Sequence, residues 1–316
     1  MPTANETLLS NFINEVIGGQ NLEAMGKYLS PNFLHHDQAP GEQTGQRTGL
    51  AGQQVFFKNV VFRAFSGFST VFEDVISEDD LVAARWKQSS RNTGSWLGRA
   101  ATGVTAEIAG ISIVRIRNGL IVEEWEERDG MSLLRQLGVQ LPQLAVTQAP
   151  VLSRAGSPGP AAPFLTNGPL GLAGASSDVS QVKSLVGQVQ TNGWSRGKID
   201  QLSQAYSAQY VLHDPTSLVS ANQSGVASLI TTFKGGLPDM NVSTDLQLAA
   251  ADKVASRWTL RGTHTGGLFG LAATGRRVAL SGITISRVAS NQIQEEWMLW
   301  DQLSLVQQVG PAVPVG

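Results

Sequence analysis

Residues 80–138 recur at 252–310, at a constant offset of 172 and without a gap. Of these 59 positions, 25 are identical. The first copy contains DLVAARW, GISIVRIRNGLIVEEWEERDG and LLRQLG; the second contains DKVASRW, GITISRVASNQIQEEWMLWDQ and SLVQQVG. Upstream, NFLHHD at 32–37 matches QYVLHD at 209–214 with an offset of 177, so one short indel separates the two registers. Solenoid units run to roughly 20–45 residues. This repeat is longer and has the size of a whole domain. The chain is therefore expected to be one domain written twice, over 1–141 and 177–310.

Residues 142–176 form the expected linker. They carry six of the thirteen prolines, five glycines and one charge, Arg154. Such a stretch resists regular structure. Leucine, valine, phenylalanine and alanine recur through it, so it is expected to lie along the surfaces of the two domains.

Composition narrows the functional classes. Net charge is −2 and the isoelectric point is near 6.1, which argues against a nucleic-acid partner. The absence of cysteine excludes disulfides, thiolate metal sites and a cysteine nucleophile. No apolar run approaches the roughly 18 residues that span a bilayer. The first residues, MPTANETLLSNF, lack the charged and apolar regions of a signal peptide. The expectation is a soluble, cytoplasmic protein without a membrane partner.

Within each unit, helical periodicity comes first. Leu8, Leu9, Phe12, Ile13, Val16 and Ile17 keep helical spacing; a short helix follows Asn21, and a third covers about 50–65. The second unit repeats this over 179–191, 198–206 and 224–234. Strand patterns then take over at 70–76, 80–90, 104–116 and 120–129. Helices first and antiparallel strands afterwards read as α+β. A curved sheet folded around a long helix, with a pocket on the concave side, suits that order.

Strand periodicity selects the candidate site. Alternation places Ile121, Glu123, Trp125, Glu127 and Asp129 on one face, and Ile293, Glu295, Trp297, Leu299 and Asp301 on the matching one. The preceding strands add Trp86 and Trp258. In the second unit the same parity leads to His264, where the first has Asn92. An aspartate among tryptophans loses hydration, which raises its pKa toward neutrality. It can then act as general base and acid, with a histidine to protonate or polarise a carbonyl. The second unit is sharper in this respect, because only nine carboxylates follow residue 142 and Asp301 is one of them. His36-Asp37 and His213-Asp214 recur at the expected pocket mouth, as pocket histidines and either bases or turn-forming aspartates. A metal set of His213, His264 and Asp301 is weakly supported, because the first copy lacks the second histidine. No G-x-S-x-G elbow or phosphate-binding loop is present. The glycines of TGSWLG and GGLFG fit turns between strands.

These motifs resemble the SnoaL-like polyketide cyclases. The family pattern is met by Trp258, Gly262, Thr263, His264, Gly266, Gly270, Thr274, Gly275, Gly282, Arg287, Ile293, Glu295, Trp297, Asp301 and Gly310. The first unit meets it with Trp86, Gly94, Gly98, Thr102, Gly103, Gly110, Arg115, Ile121, Glu123, Trp125, Asp129, Leu137 and Gly138. It departs at Arg91-Asn92, where the family has Thr-His. The resemblance implies two cone-shaped α+β barrels of the nuclear-transport-factor-like type, paired as an internal pseudo-dimer that is compatible with a monomeric chain. It implies cofactor-independent aldol-type ring closure of a polyketide-like small molecule, with Asp129 and Asp301 as general acid/base. His264, His213 and His36 would assist, and Trp258, Trp297, Trp86, Trp125, Asn92, Asp214 and Asp37 would hold the substrate. Two alternatives are epoxide opening by a carboxyl pair (Asp214 with Asp301, or Asp37 with Asp129) and a non-catalytic barrel that binds a small molecule or assembles with partners. The departure at Asn92 favours the second unit as the active one.

Overall fold

The computed structural model describes residues 1–36, 46–147, 179–214 and 222–310. The first half opens with α1 (Ala4–Phe12), whose Thr3 and Glu6 form a reciprocal capping box. A widened turn, Ile13–Gly18, extends it, and a short 3₁₀ turn, Glu23–Lys27, follows. Strands β1 (Leu29–His36) and β2 (Gln46–Thr48) lead into α2 (Gly49–Phe56) and the single turn α3 (Phe62–Ala64). Four strands complete the sheet: β3 (Phe65–Glu78), β4 (Leu81–Asn92), β5 (Thr105–Arg117) and β6 (Leu120–Arg128). Helix α4 (Gly130–Gln136) closes the half.

The second half follows the same order. It runs α5 (Val179–Gln188), α6 (Leu202–Ala205), β7 (Tyr206–His213), α7 (Gln223–Gly236), β8 (Asn241–Ala250), β9 (Lys253–Thr263), β10 (Arg277–Ala289), β11 (Gln292–Trp300) and α8 (Gln302–Val309). The two sheets have the orders β2-β1-β6-β5-β4-β3 and β7-β11-β10-β9-β8. Every pair is antiparallel except β1 with β6 and β7 with β11, which are parallel. This is the expected α+β architecture, with helices on the concave face of each sheet. Among the described residues, no helix is long and apolar enough to cross a membrane.

A β-bulge in each last strand decides which side chains face inward. Arg115 pairs with Glu123 but Ile116 pairs with Ile121, so Val122 is an extra residue in β6. Arg287 pairs with Glu295 and Val288 with Ile293, which makes Gln294 the extra residue in β11. An inserted residue inverts the alternation beyond it. Ile121 and Ile293 therefore point into the concave cores, while Trp125 and Trp297 point the other way. The expected grouping of Trp125 with Asp129, and of Trp297 with Asp301, on one pocket face is corrected: the bulge turns the tryptophans toward the other half, while the aspartates come after the strands have ended and cap α4 and α8, outside the alternation.

The other face of each sheet packs against its counterpart. Ile76, Leu81, Ala83, Ile111 and Ile113 meet Leu248, Ala255, Ile283, Ile285 and Leu299, with Trp125 and Trp297 at the border. Among the described residues, the ion pairs Lys183–Glu78 at 2.5 Å and Lys253–Asp74 at 2.7 Å cross between the halves. Helices α4 and α8 also touch, through Met131 and Leu134 against Leu303 and Val306. The described start of the linker lies on the second half, where Ala145 N–H donates to Phe269 and Thr147 N–H to Thr232.

Candidate functional site

The first half holds an open cavity of about 650 Å³ on its concave face. Phe56, Val60, Val61, Phe65, Phe68, Trp96, Ala106, Ile108 and Leu133 make its walls apolar. Its polar groups are Gln88, Ser90, Arg128 and Asp129. Asp129 is the residue after β6 and caps α4, its Oδ1 accepting the Ser132 N–H at 2.9 Å. Burial pushes its carboxyl above the usual value; the Ser132 N–H and Arg135 oppose this, and the charge of Asp214 from the other half adds to it.

Beside the cavity lies a buried polar network that alternation without a bulge would have turned outward. Arg128 pairs with Glu126 at 2.9 Å. His35 Nε2 lies 3.6 Å from Glu124 and 3.8 Å from Glu126. Arg47 meets His35 Nδ1 at 2.9 Å, donates from Nε to Gln53 at 2.9 Å and lies 3.9 Å over the ring of Phe56. Burial pushes Glu124 up to about 7. Glu126 is held down at about 2, chiefly by Arg128, against the cost of burial. The ligand atoms of His35, Glu124 and Glu126 lie within 4.8 Å of one another, a spacing that would suit a metal ion. Arg47 and Arg128 already balance the two carboxylates, so the donor set is closed by its own cations.

The second half is built differently at the same places. Trp300 occupies the position of Arg128 and packs against Phe269 and Phe233, with ring centroids 5.6 and 5.3 Å away. Asp301 caps α8, accepting the Ser304 N–H at 2.8 Å, and does not line the cavity of that half. That cavity, an open space of about 480 Å³, lies between Val186, Val189, Trp194, Val226, Trp258 and Met298. Its carboxyl is Glu296, which accepts hydrogen bonds from Tyr206, Tyr210 and Ser286.

The remaining expected residues fall into three groups. His36 and His213 lie on the side facing the other half: they stack on Trp125 and Trp297 at 5.4 and 5.1 Å and meet Glu123 and Glu295 at 2.9 and 2.8 Å. Arg115 and Arg287 hold the second oxygen of each glutamate. Neither histidine lines a described cavity. Asn92 and His264 are buried at the base of matching loops. Asn92 ties Ala64, Gly94 and Thr102 together, and His264 Nδ1 meets Thr274 at 3.1 Å. Burial lowers the His264 pKa, and its Nε2 has no partner among the described residues. His213, His264 and Asp301 are not brought together as a metal set. Trp258 lines the second cavity and Trp86 is buried on the concave side of β4, whereas Asp37 lies outside the described residues.

Sequence reasoning missed Glu124, Glu126, His35, Arg47, Arg128, Glu296, Tyr206 and Tyr210. The signal available was the doubled Glu-Glu-Trp: one of each adjacent pair must face inward, whichever way the strand turns.

The family model described as SnoaL-like polyketide cyclase matches residues 7–137 and 184–309. Among solved structures, TsrD from Streptomyces laurentii is 23% identical, covering 42% of this chain and 98% of its own, with a TM-score of 0.39. A candidate polyketide cyclase from Acidithiobacillus ferrooxidans is 26% identical, covering 42% and 96%, with a TM-score of 0.38. IdmH, a candidate polyketide cyclase from Streptomyces antibioticus, is 22% identical, covering 42% and 99%, with a TM-score of 0.37. Among curated proteins, none matches this chain.

Proposed function

The chain belongs to the SnoaL-like polyketide cyclase family through both of its halves, and from that premise we propose that the first half closes a ring in a polyketide-type small molecule, without a cofactor, by general acid/base catalysis at Asp129. The observation that carries this reading is the placement of Asp129, a partly desolvated carboxyl in the wall of an open apolar cavity beside Arg128. In the proposed step, Asp129 takes a proton from a carbon flanked by two carbonyls. The enolate carbon attacks a third carbonyl within the same molecule, forming the new C–C bond. The resulting alkoxide takes the proton back from Asp129, so the reaction is an isomerisation. Arg128, anchored by Glu126, faces the developing enolate charge, where a fixed cation in an apolar site is worth more than in water. The apolar walls fold the chain and exclude water.

This assigns turnover to the half with Asn92, the reverse of the sequence expectation. In the second half the aromatic cluster of Trp300, Phe269 and Phe233 stands where the first half has Arg128 and the cavity. Asp129→Asn is expected to lower turnover of a poly-β-keto substrate by roughly 10²–10⁴-fold, the usual worth of a general base, while Asp301→Asn leaves it within threefold. The rate should rise with pH through the pKa of Asp129, because the base works ionised, and that pKa lies above the ordinary aspartate value. Full activity of Asp129→Asn, or its loss in Asp301→Asn alone with the fold intact, refutes the assignment. Epoxide opening remains a second reading on one observation: Asp214 is close enough for its charge to raise Asp129, a carboxyl pair made across the two halves. Turnover of an epoxide but not of the poly-β-keto compound would select it.

A further inference from the structure

The two halves treat the central carboxyl of the concave face in opposite ways. In the first, Glu124 and Glu126 sit among His35, Arg47 and Arg128. In the second, Glu296 is buried, at 7% exposure, yet no lysine, arginine or histidine among the described residues forms an ion pair with it. Hydroxyls stand in place of cations. Tyr206 and Tyr210 donate to Oε2 at 3.1 and 2.7 Å, and Ser286 donates to Oε1 at 2.7 Å. The first half has Leu29, Phe33 and Val114 at those positions, so this cage is particular to the second half.

Three converging O–H donors suit the ionised carboxylate, which only accepts. A carboxylate offers about four lone-pair sites, so one is left, on Oε1. A group that fills it from the cavity must be a donor. Burial works against the charge and pushes the Glu296 carboxyl up. A cation entering the cavity would remove that cost, because a buried charge is tolerated when it is paired. The walls fit a cation with an apolar body. Trp194 and Trp258 stack with centroids 6.4 Å apart and planes 24° apart, beside Tyr206. Aromatic faces attract ammonium groups, and Val186, Val189 and Met298 supply apolar surface.

We propose that the cavity of the second half binds a protonated amine carrying an aromatic or aliphatic body, its N–H donating to Glu296 and its charge facing Trp194 and Trp258. The test compares 2-phenylethylamine, an ammonium at neutral pH, with 2-phenylethanol, a neutral molecule of nearly the same shape. Each is titrated into the full chain and followed by tryptophan fluorescence and calorimetry. The ammonium is expected to bind at least tenfold tighter. Equal affinity, preference for the alcohol, or no binding of the ammonium overturns the proposal. Glu296→Gln keeps the shape and removes the charge; it should abolish the preference while the alcohol binds within threefold of its original affinity. A preference that survives in a folded Glu296→Gln chain also overturns it. Trp194→Leu, at a half-buried wall position, should weaken the ammonium more than the alcohol, and equal weakening contradicts the assigned site.

Discussion

A Cβ on Gly110 would stand 2.0 Å from Cζ2 of Trp86, and one on Gly282 2.1 Å from Cζ2 of Trp258. Neither ring can easily move aside. Trp86 Nε1 donates to Ser112 and Trp258 Nε1 to Thr284, both at 3.1 Å, so retreat breaks a buried hydrogen bond. Gly110→Ala and Gly282→Ala are each expected to cost about 1–3 kcal/mol, the usual penalty of overpacking. A lowered urea midpoint at unchanged slope would register this; an unchanged midpoint would mean that the ring has room. The sequence shows all four residues at repeat-matched places, but not that glycine is there to accommodate tryptophan. Glu124 carries a second residue-scale consequence. Its folded pKa, about 7, lies above the ordinary 4.5, so the folded chain holds more protons there than the unfolded chain. Stability from this group is present below about pH 4.5 and is lost as pH rises toward 7. Glu126 has the opposite sign: its contribution is present above 4.5 and is lost as pH falls toward 2. Glu124→Gln should therefore flatten the decline of Tm between pH 4.5 and 7, and an undiminished decline would place its origin elsewhere.

At the scale of elements, the long strands and the leading helices were legible because their patterns extend over many residues. The strands expected at 80–90 and 104–116 are found as Leu81–Asn92 and Thr105–Arg117, and the helix expected at 179–191 starts at Val179. Strand β1 was not legible. Its burial alternates only toward its end, and Pro31 and Asn32 near its start are exposed. The segment expected as helix at 198–206 contains only two short turns before β7, whose inward residues Tyr210 and Leu212 are set by parallel pairing with β11. The bulges were illegible for a different reason. Period-2 reasoning presumes an unbroken ladder, and one inserted residue transfers every later side chain to the other face. That is why alternation selected the face of Glu123, Trp125 and their repeats and left Glu124, Arg128 and Glu296 unselected, while Asp129 reaches the cavity from beyond the strand end, as the cap of α4. The turns at Leu97-Gly98 and Phe269-Gly270 fit the expected loop geometry, with φ of 50° and 72° in the first and 52° and 82° in the second. Phe269 accepts a left-handed backbone because its ring is buried against Phe233 and Trp300.

At the scale of the whole molecule, duplication in one chain lets the halves diverge while they remain joined. A copy that pairs with itself must carry the same cavity twice; here one half has a charge-balanced network beside an open cavity and the other a hydroxyl-caged carboxyl. The shared face must survive that divergence, and its apolar cluster and ion pairs join the sheets. Lys253 Nζ reaches both oxygens of Asp74 at 2.7 Å, and the two side chains are 17% and 12% exposed. In such surroundings, removing one partner leaves a desolvated charge, whereas removing both leaves none. Asp74→Ala and Lys253→Ala are each expected to lower stability by about 1–3 kcal/mol. The double variant should lose clearly less than their sum, with a coupling of about 0.5–3 kcal/mol. Urea unfolding of the four chains measures that coupling directly. Losses that simply add would show that Asp74 and Lys253 act independently and leave the apolar cluster as the main tie between the halves. A coupled loss would make the ion pair a working part of the interface, and would predict that the double variant still unfolds in one transition, since Ile111, Ile113, Ile283 and Ile285 stay buried between the sheets.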